Sequence, residues 1–224
     1  MKVTTISSIL GSLFSIYLNL TPSIPFYRVF KRKEKIDIIH ANLLFFQIVD
    51  KILWAAVWTL KNEYIPFINA LLAIFITSFF IMLYFYLYYN RALCKSLIRF
   101  LVLFGIEFFI FLRIIIYGNV LVLSFFAMIF NTPIFFVQLK EFILTTKQKY
   151  YKYINIHFTI VFLCYYCSWL IYGVYIKFIF LIIPTSIGVL FSVINAITWT
   201  YFYKNRDKFQ NKEDDTIKII KGKN

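Results

Sequence analysis

Charged residues are scarce in this chain of 224 residues: Asp, Glu, Lys and Arg make up 15% of it, whereas 61% of the residues are hydrophobic. A soluble domain carries about 25% charged and about 45–50% apolar residues. A chain of this size could not hide so much apolar surface in a water-soluble core. The same figures exclude an intrinsically disordered chain, which needs low hydrophobicity.

Acidic residues are the scarcer charge, with 10 Asp and Glu against 24 Lys and Arg and a formal net charge of +14. A basic excess can indicate nucleic-acid binding. Here, however, the basic residues occur in short runs between long apolar stretches. That is the pattern of a membrane protein whose Lys and Arg mark one side of the bilayer. We therefore predict a protein embedded in the lipid bilayer that binds no nucleic acid.

Metal-ligand residues are also few, with three Cys and two His. Cys164 and Cys167 lie inside one apolar stretch and Cys94 lies elsewhere, so the four ligands of a zinc site do not converge. His40 and His157 stand at the starts of apolar stretches, as interfacial anchors. No Walker or other nucleotide motif occurs, and no nucleophile–base set stands out. We predict no cofactor, no metal and no enzymatic activity.

Seven apolar stretches are long enough for transmembrane helices, which need about 20 residues to cross about 30 Å of hydrocarbon. They are continuously apolar, whereas the strands of a membrane barrel alternate. The first is too long for a signal-peptide core and lacks a small-residue cleavage site. We therefore predict an all-α membrane protein with seven transmembrane helices, spans 1 to 7, at residues 3–25, 39–60, 65–89, 97–117, 119–139, 154–175 and 178–203.

The basic residues are distributed unevenly between the loops. Of the 24 Lys and Arg, 19 lie in the C-terminal tail or in the loops that follow spans 1, 3 and 5, which we call loops 1, 3 and 5. Because cytosolic loops carry the excess of Lys and Arg, we predict an external N-terminus and a cytosolic C-terminus. We expect the plasma membrane as the location, with an internal membrane as the alternative.

The chain also contains an internal repeat, which is worth seeking before other motifs. Similar residues recur at offsets of 111 to 117 positions, as they would if loop lengths differed slightly. The recurring pairs are Thr21-Pro22 with Thr132-Pro133, Trp54 with Trp169, Asn69 with Thr185, and His40 with His157.

The repeat predicts two triplets of helices joined by a single linker helix, a 3+1+3 arrangement. Three spans reverse the side of the membrane and a fourth restores it, so the two triplets lie parallel. Parallel repeats with a site at their interface are a transporter architecture. The predicted units are a first repeat at 1–90, the linker helix at 91–118, a second repeat at 119–203 and a cytosolic tail at 204–224.

Taken in order, these residues resemble the SWEET family of sugar transporters, over about residues 5–203. The family's fold is two three-helix bundles joined by an inversion linker helix, which is the arrangement that the repeat predicts. The matching motifs are Thr21-Pro22, Asp50 with Trp54, Asn69, Asn131-Thr132-Pro133, Thr146-Lys147, Trp169-Leu170-Ile171-Tyr172-Gly173, and Pro184-Thr185 with Gly188.

The sequence also departs from the family's pattern. Leu43 and Tyr153 stand where spans 2 and 6 usually carry proline, so half of a four-proline hinge set is missing. Val57-Trp58 replaces a Tyr-Gly pair, Thr185 replaces Asn, and Asn195 replaces Gln. These changes concern the substrate and the switching between states more than the architecture.

Four residues are the candidates for substrate binding. Trp54 and Trp169, one from each repeat, offer flat indole faces for the apolar C–H face of a sugar, and their N–H groups can donate to a hydroxyl. They are expected to form two walls of a slot. Asn69 and Thr185 would supply hydrogen bonds, since an amide both donates and accepts.

Asp50 is the fifth candidate, one turn before Trp54 and on the same helix face. A carboxylate costs about 2.5–3.5 kcal/mol at the centre of a span, so it should face the bundle interior. Three roles stay open: a protonated partner of sugar hydroxyls, a proton-coupling site, or a structural pair with Lys51. Neighbours on a helix point about 100° apart, so we expect that pair to be strained. Glu107 in span 4 is expected to bond to a neighbouring helix.

Pro22 and Pro133 are candidate hinges, because proline removes a backbone N–H and bends a helix. A static kink is the alternative.

The leading hypothesis is a facilitative, bidirectional carrier of mono- or disaccharides such as glucose, working by alternating access. One alternative is a seven-helix sorting receptor, which should hold cationic residues inside the bundle, where only Lys51 and Arg113 qualify. Another is a proton-coupled carrier of amino acids or organic acids that uses Asp50. Homo-oligomerisation stays open.

Overall fold

The computed structural model describes residues 3–32, 41–88 and 93–206, and the regular secondary structure within these ranges is helical. Eight α-helices follow one another along the chain, with one short 3₁₀ turn at Tyr151–Tyr153. They are α1 (Val3–Leu20), α2 (Ser23–Arg32), α3 (Ala41–Leu60), α4 (Tyr64–Tyr88), α5 (Leu93–Tyr117), α6 (Val120–Gln148), α7 (Ile156–Tyr175) and α8 (Ile179–Lys204).

Seven segments correspond to the seven predicted spans, with α1 and α2 together forming the first. Among the described residues, five segments are long and apolar enough to cross a membrane: Val3–Lys31, Tyr64–Tyr88, Val120–Gln148, Ile156–Tyr175 and Ile179–Lys204. The largest difference from prediction is at α6, which ends at Gln148 rather than at residue 139. Its polar last turns continue the helix beyond the apolar stretch that the prediction counted.

Several predicted features lie outside the described residues. These are His40, part of the basic first loop, and most of the C-terminal tail. The side chains of Leu43, Cys94, Glu107 and Pro133 are outside them as well.

Pro22 interrupts the first span as predicted. Helix α1 ends at Leu20 and α2 begins at Ser23, because proline has no N–H for the helical ladder. The hydroxyl of Thr21 donates to the carbonyl of Leu18 at 2.7 Å, which satisfies an acceptor at the break. By contrast, α6 continues through residue 133 without interruption. A hinge role for either proline stays a prediction.

The helices pack in the same way within each triplet. Helix α4 lies against both α1 and α3, and α8 lies against both α6 and α7. Between the triplets, α1 packs on α7 and α3 packs on α6, so the first helix of each triplet contacts the second helix of the other. Helix α5 packs on α4 and α3. This exchange of partners is what a two-fold axis along the bundle produces.

The exterior is apolar and the interior carries polar groups, the reverse of a soluble protein. In α1 the buried residues are small or polar, whereas Leu10, Leu13 and Tyr17 are exposed. Small residues let membrane helices approach closely. The buried set in α1 is Ser7, Ser8, Gly11, Ser15 and Asn19. We call the end of the bundle where α2 and α6 finish and α7 begins the basic end, after its predicted loops, and the other the opposite end.

Candidate substrate-binding site

A small central cavity lies between the two triplets, with a volume of about 40 Å³. All five residues predicted to bind substrate line it: Asp50, Trp54, Asn69, Trp169 and Thr185. They come from four helices and are separated by up to 135 positions in the sequence. The repeat-based pairing therefore brings together residues of both halves at one place.

Three indole rings form a stack beside this cavity. The ring centroids of Trp54 and Trp58 are 5.3 Å apart at an interplanar angle of 20°. Those of Trp58 and Trp169 are 6.4 Å apart at 18°. Trp58 thus lies between the two predicted walls of the slot and occupies the space that they were expected to leave open.

Trp58 was missed as a candidate from the sequence, although a signal was present. It follows Trp54 by four residues, so both lie on the same face of α3. Its neighbours Phe178 and Tyr172 meet it edge-on, at centroid distances of 5.8 and 6.0 Å. These contacts leave the Trp58 side chain buried, with 4% of its surface exposed.

Four buried polar atoms that line the cavity have no hydrogen-bond partner within the described part of the chain. They are Asp50 Oδ1, Asn69 Oδ1, the Tyr166 hydroxyl and Trp169 Nε1. An unpaired polar group costs about 1–3 kcal/mol when buried. Their convergence on one cavity therefore indicates a site for a ligand or water that both donates and accepts hydrogen bonds.

The amide of Asn69 is oriented by α1. Its Nδ2 donates to Ser15 Oγ at 3.3 Å, and Asn19 Nδ2 donates to the same oxygen at 3.2 Å. The carbonyl oxygen of Asn69 is buried and has no hydrogen-bond partner within the described part of the chain. Asn69 is thus held with its acceptor free.

Thr185, at the equivalent place in the second repeat, uses its hydroxyl differently. The Thr185 hydroxyl lies 2.6 Å from the carbonyl of Leu181 and 3.1 Å from that of Ile182, in its own helix. The preceding residue, Pro184, has no N–H to donate, so the local ladder is already weakened. Because its proton is engaged there, Thr185 offers the cavity an acceptor rather than a donor.

Asp50 and Lys51 form an ion pair, with Lys51 Nζ 2.8 Å from Asp50 Oδ2. The structural pair that the sequence left open therefore forms, although the strain expected of it stays a prediction. The long, flexible lysine stem turns back towards the carboxylate. Both groups are nearly enclosed, at 1% exposure for Asp50 and 12% for Lys51, so each charge is compensated by the other.

Two glycines allow aromatic residues of α7 to lie against neighbouring helices. A Cβ at Gly11 of α1 would lie 2.9 Å from Trp169 Cε2. One at Gly188 of α8 would lie 2.5 Å from the ring of Tyr166. Both contacts are closer than a Cβ tolerates, so these glycines position the two rings that line the cavity.

Larger cavities lie on both sides of the central one. Towards the basic end is a vestibule of about 210 Å³, which shares Ser15, Lys51, Tyr165 and Tyr166 with the central cavity. Towards the opposite end is a cavity of about 220 Å³ that includes Glu63 and Tyr172 among its lining residues and shares Pro66.

The opposite end is closed by contacts between the triplets. The Tyr172 hydroxyl donates to Glu63 Oε2 at 2.8 Å, joining α7 to the loop between α3 and α4. Lys61 Nζ lies 4.1 Å from the centroid of the Phe178 ring. Together with Trp58, these groups separate the central cavity from the opposite end.

The remaining predicted groups lie away from the cavity. Cys164 and Cys167 are free thiols. Arg113 is exposed, with its guanidinium 5.0 Å from the Tyr117 ring centroid. His157 is exposed at the start of α7. Among the described residues, no group of three or more His, Cys, Asp or Glu could hold a metal ion.

Comparison with known proteins supports the resemblance deduced from the motifs. Residues 121–207 match a family model described as a sugar efflux transporter for intercellular exchange (MtN3_slv). Among solved structures, the chain is similar to one described as the 3.7 Å resolution structure of a eukaryotic SWEET transporter, with a TM-score of 0.74 and 13% sequence identity. The match covers 91% of this chain and 98% of that one. No curated protein matches the chain.

These matches confirm the predicted resemblance and fold. The family model covers the second repeat, which is where the sequence motifs match best. The structural likeness extends over nearly the whole chain, so the seven-helix, 3+1+3 architecture of a multi-pass membrane protein is confirmed. The unit boundaries and the roles of the cavity residues stay predictions.

Proposed function

We propose that this chain is a facilitative sugar transporter, which moves mono- or disaccharides in both directions by alternating access. The observation that carries the proposal is the central cavity, where the interface of two parallel repeats brings indole faces together with unpartnered polar atoms. A similar fold in a eukaryotic SWEET transporter and the family match of the second repeat support the same function.

The chemistry of the cavity suits a neutral polyol. Asp50 Oδ1 and Asn69 Oδ1 accept hydrogen bonds, Trp169 Nε1 donates one, and the Tyr166 hydroxyl can do either. Sugar hydroxyls both donate and accept, so one ring can satisfy all four. The indole faces match the C–H face of the ring.

The small size of the central cavity supports a mechanism in which the protein changes conformation to bind its substrate. A volume of about 40 Å³ has room for about one water, which is far less than a hexose with six carbons and six oxygens. Substrate binding therefore requires the triplets to separate or Trp58 to swing aside. Larger cavities on both sides, at about 210 and 220 Å³, supply the two routes of an alternating-access carrier.

The Asp50–Lys51 pair favours uniport over proton coupling. The charge of the carboxylate is compensated by Lys51 at 2.8 Å, so the site can change state without taking up a proton. The same pair argues against the sorting receptor, because the one buried cation of the described cavities is already engaged. Arg113, the other candidate cation, is exposed.

Uptake of radiolabelled glucose into liposomes tests the proposal, using purified protein with and without an imposed proton gradient. We expect saturable uptake that equilibrates and does not accumulate against its gradient. Protein-free liposomes give the background uptake. Gly105→Ala in α5 is the control variant: its added Cβ would meet nothing within 4 Å, so it should take up glucose as the wild type does. Accumulation driven by the gradient would assign Asp50 a coupling role instead. Absence of flux for glucose, galactose and sucrose would favour the receptor.

The orientation and location are part of the proposal. The basic loops predict a cytosolic C-terminus, and we propose the plasma membrane as the location. Protease protection of tags at either terminus, measured in sealed cells, tests both. Protection of an N-terminal tag together with cleavage of a C-terminal one would reverse the orientation.

A further inference from the structure

The vestibule at the basic end is large enough for a sugar, whereas the central cavity is not. Its volume is about 210 Å³, against about 40 Å³ for the central cavity. A water molecule needs about 10–15 Å³ of such a cavity, so a hexose with six carbons and six oxygens needs about 120–180 Å³. In the conformation that the structure shows, a hexose therefore fits in the vestibule but not beside the indoles.

Both triplets contribute to the wall of the vestibule. Helices α1 and α3 of the first triplet supply hydroxyl and amide groups, and α6 and α7 of the second supply a carboxyl group and aromatic rings. Phe158 and Phe162 lie one turn apart on α7, so their side chains share a helix face. Such rings pack against the apolar C–H face of a sugar. The vestibule thus combines the apolar surface and the polar groups that a sugar requires.

Three polar side chains of the vestibule have no hydrogen-bond partner within the described part of the chain. They are the buried Tyr166 hydroxyl, the Gln47 amide and the Glu141 carboxyl group. An amide both donates and accepts, a phenol can do either, and a carboxyl group accepts from a hydroxyl whether or not it is protonated. Tyr166 also lines the central cavity, whereas Gln47 and Glu141 line the vestibule alone. A sugar bonded to all three would bridge the two triplets.

The cavity at the opposite end is as large, at about 220 Å³, but two of its polar groups are already engaged. Glu63 accepts a hydrogen bond from the Tyr172 hydroxyl at 2.8 Å, and the Ser8 hydroxyl donates to the carbonyl of Thr5 at 3.1 Å. A sugar in that cavity would compete with the contact that closes the opposite end. The unengaged groups of the vestibule make it the better site.

We propose that the vestibule is a second sugar-binding site, which holds a hexose at the basic end while the central cavity is closed. The inference rests on the proposed transport function and deepens it by adding a binding site between the central cavity and the basic end. The two cavities share Ser15, Lys51, Tyr165 and Tyr166. A sugar can therefore pass from one site to the other without first returning to water.

Protection of a cysteine placed in the vestibule tests the second site. Thr21 lines the vestibule and not the central cavity, so Thr21→Cys is labelled with a maleimide in detergent after the native cysteines are replaced by Ser. At a glucose concentration of about twice the Kd, we expect about threefold slower labelling, because about a third of the sites are then empty. Betaine at equal osmolality should not slow it. Thr146→Cys is the matched control, since Thr146 is exposed near the same end of α6, and glucose should not change its labelling rate.

Two further substitutions separate the vestibule from the central cavity. Trp169→Ala removes a wall of the central cavity, and glucose should still protect the thiol of Thr21→Cys in this background. Phe158→Ala removes part of the aromatic wall of the vestibule, and protection should then be lost. Ile160→Ala, on the exposed side of the same helix, should leave the protection unchanged. Loss of protection with Trp169→Ala, or its persistence with Phe158→Ala, would overturn the second site.

The wild type alone decides the question if a variant fails to fold. A diazirine derivative of glucose is photolysed with the protein, and the adducts are located by mass spectrometry. We expect adducts in the last turn of α1 or the first turns of α7, which excess glucose suppresses. Their absence, or adducts that glucose does not suppress, would overturn the second site while leaving glucose uptake intact. Absence of both adducts and uptake would overturn the transport function, and the second site with it.

Discussion

The two triplets share one packing plan and differ in the side chains that they turn to the cavity. Positions 115 residues apart correspond, as Trp54 and Trp169 do. One turn further along, however, the first triplet carries Trp58 and the second carries Gly173 at the corresponding position. The largest residue therefore corresponds to the smallest. The indole of Trp58 stacks between Trp54 and Trp169, so the site is asymmetric although the packing of its helices is two-fold.

The polar groups are divided just as unequally. Asp50 and Lys51 of the first triplet correspond to Tyr165 and Tyr166 of the second. One wall of the cavity therefore carries a charged pair and the other carries phenol rings. A duplicated fold supplies the frame for alternating access, whereas the diverged side chains let a sugar bind in one orientation. Five substitutions test this division, and each changes one triplet more than the other.

The largest effect is expected from truncating the corresponding indoles. Trp54→Ala and Trp169→Ala should each reduce saturable glucose uptake to the level of protein-free liposomes, because each removes an aromatic wall worth about 1.5–3 kcal/mol through its buried area and ~1 kcal/mol more through its ring. Membrane insertion and a monodisperse gel-filtration profile in detergent should be retained. Normal uptake in both variants would move the binding site elsewhere, and loss in only one would show that a single triplet binds the sugar.

Trp58→Ala should make the first triplet resemble the second at this position, because the corresponding residue, Gly173, also lacks a large side chain. Removing a buried indole costs about 3–5 kcal/mol of stability and joins its volume to the central cavity. We expect sucrose uptake to rise about tenfold relative to glucose, as the cost of moving the ring disappears. Val57→Ala, adjacent but not lining the cavity, is the control. An unchanged sucrose-to-glucose ratio would mean that Trp58 does not limit substrate size.

Gly11→Ala tests how the first triplet positions an indole of the second. The added Cβ would lie 2.9 Å from Trp169 Cε2, so the ring or the helix must shift by a few tenths of an ångström. We expect glucose uptake to fall about fivefold, mainly through a higher KM, since a small misplacement of a binding group weakens its contacts. Gly105→Ala, which meets nothing within 4 Å, should keep wild-type kinetics. Equal kinetics of the two variants would contradict this positioning role.

Tyr172→Phe should have the smallest effect, since it removes one hydrogen bond to Glu63, worth about 1.5–3 kcal/mol. We expect the opposite end to open more often. Labelling of Ala70→Cys by an impermeant maleimide, with the native cysteines replaced by Ser, should then be about twofold faster. Tyr175→Phe, on the exposed side of the same helix, is the control. If both variants are labelled at the wild-type rate, this bond does not hold the end closed.

Much of the site could be predicted from the sequence because the repeat supplies a long-range constraint. The offset that pairs Trp54 with Trp169 implies a common interface, and Asp50, Asn69 and Thr185 line the same cavity. What could not be predicted was how that interface is filled. The place of Trp58 between the two indoles depends on its contacts with Tyr172 and Phe178, which a one-dimensional pattern does not encode.

The number of spans, the break at Pro22 and the residues that line the central cavity could all be deduced from the sequence alone. These follow from chain length against bilayer thickness, from a missing backbone N–H and from the spacing of a duplicated unit. Two contacts could be seen only in the folded structure: Lys51 turns back to Asp50, and Tyr172 donates to Glu63 across the triplets. Side-chain direction and partner choice depend on packing between helices distant in sequence, because each rotamer is selected by the neighbours it meets.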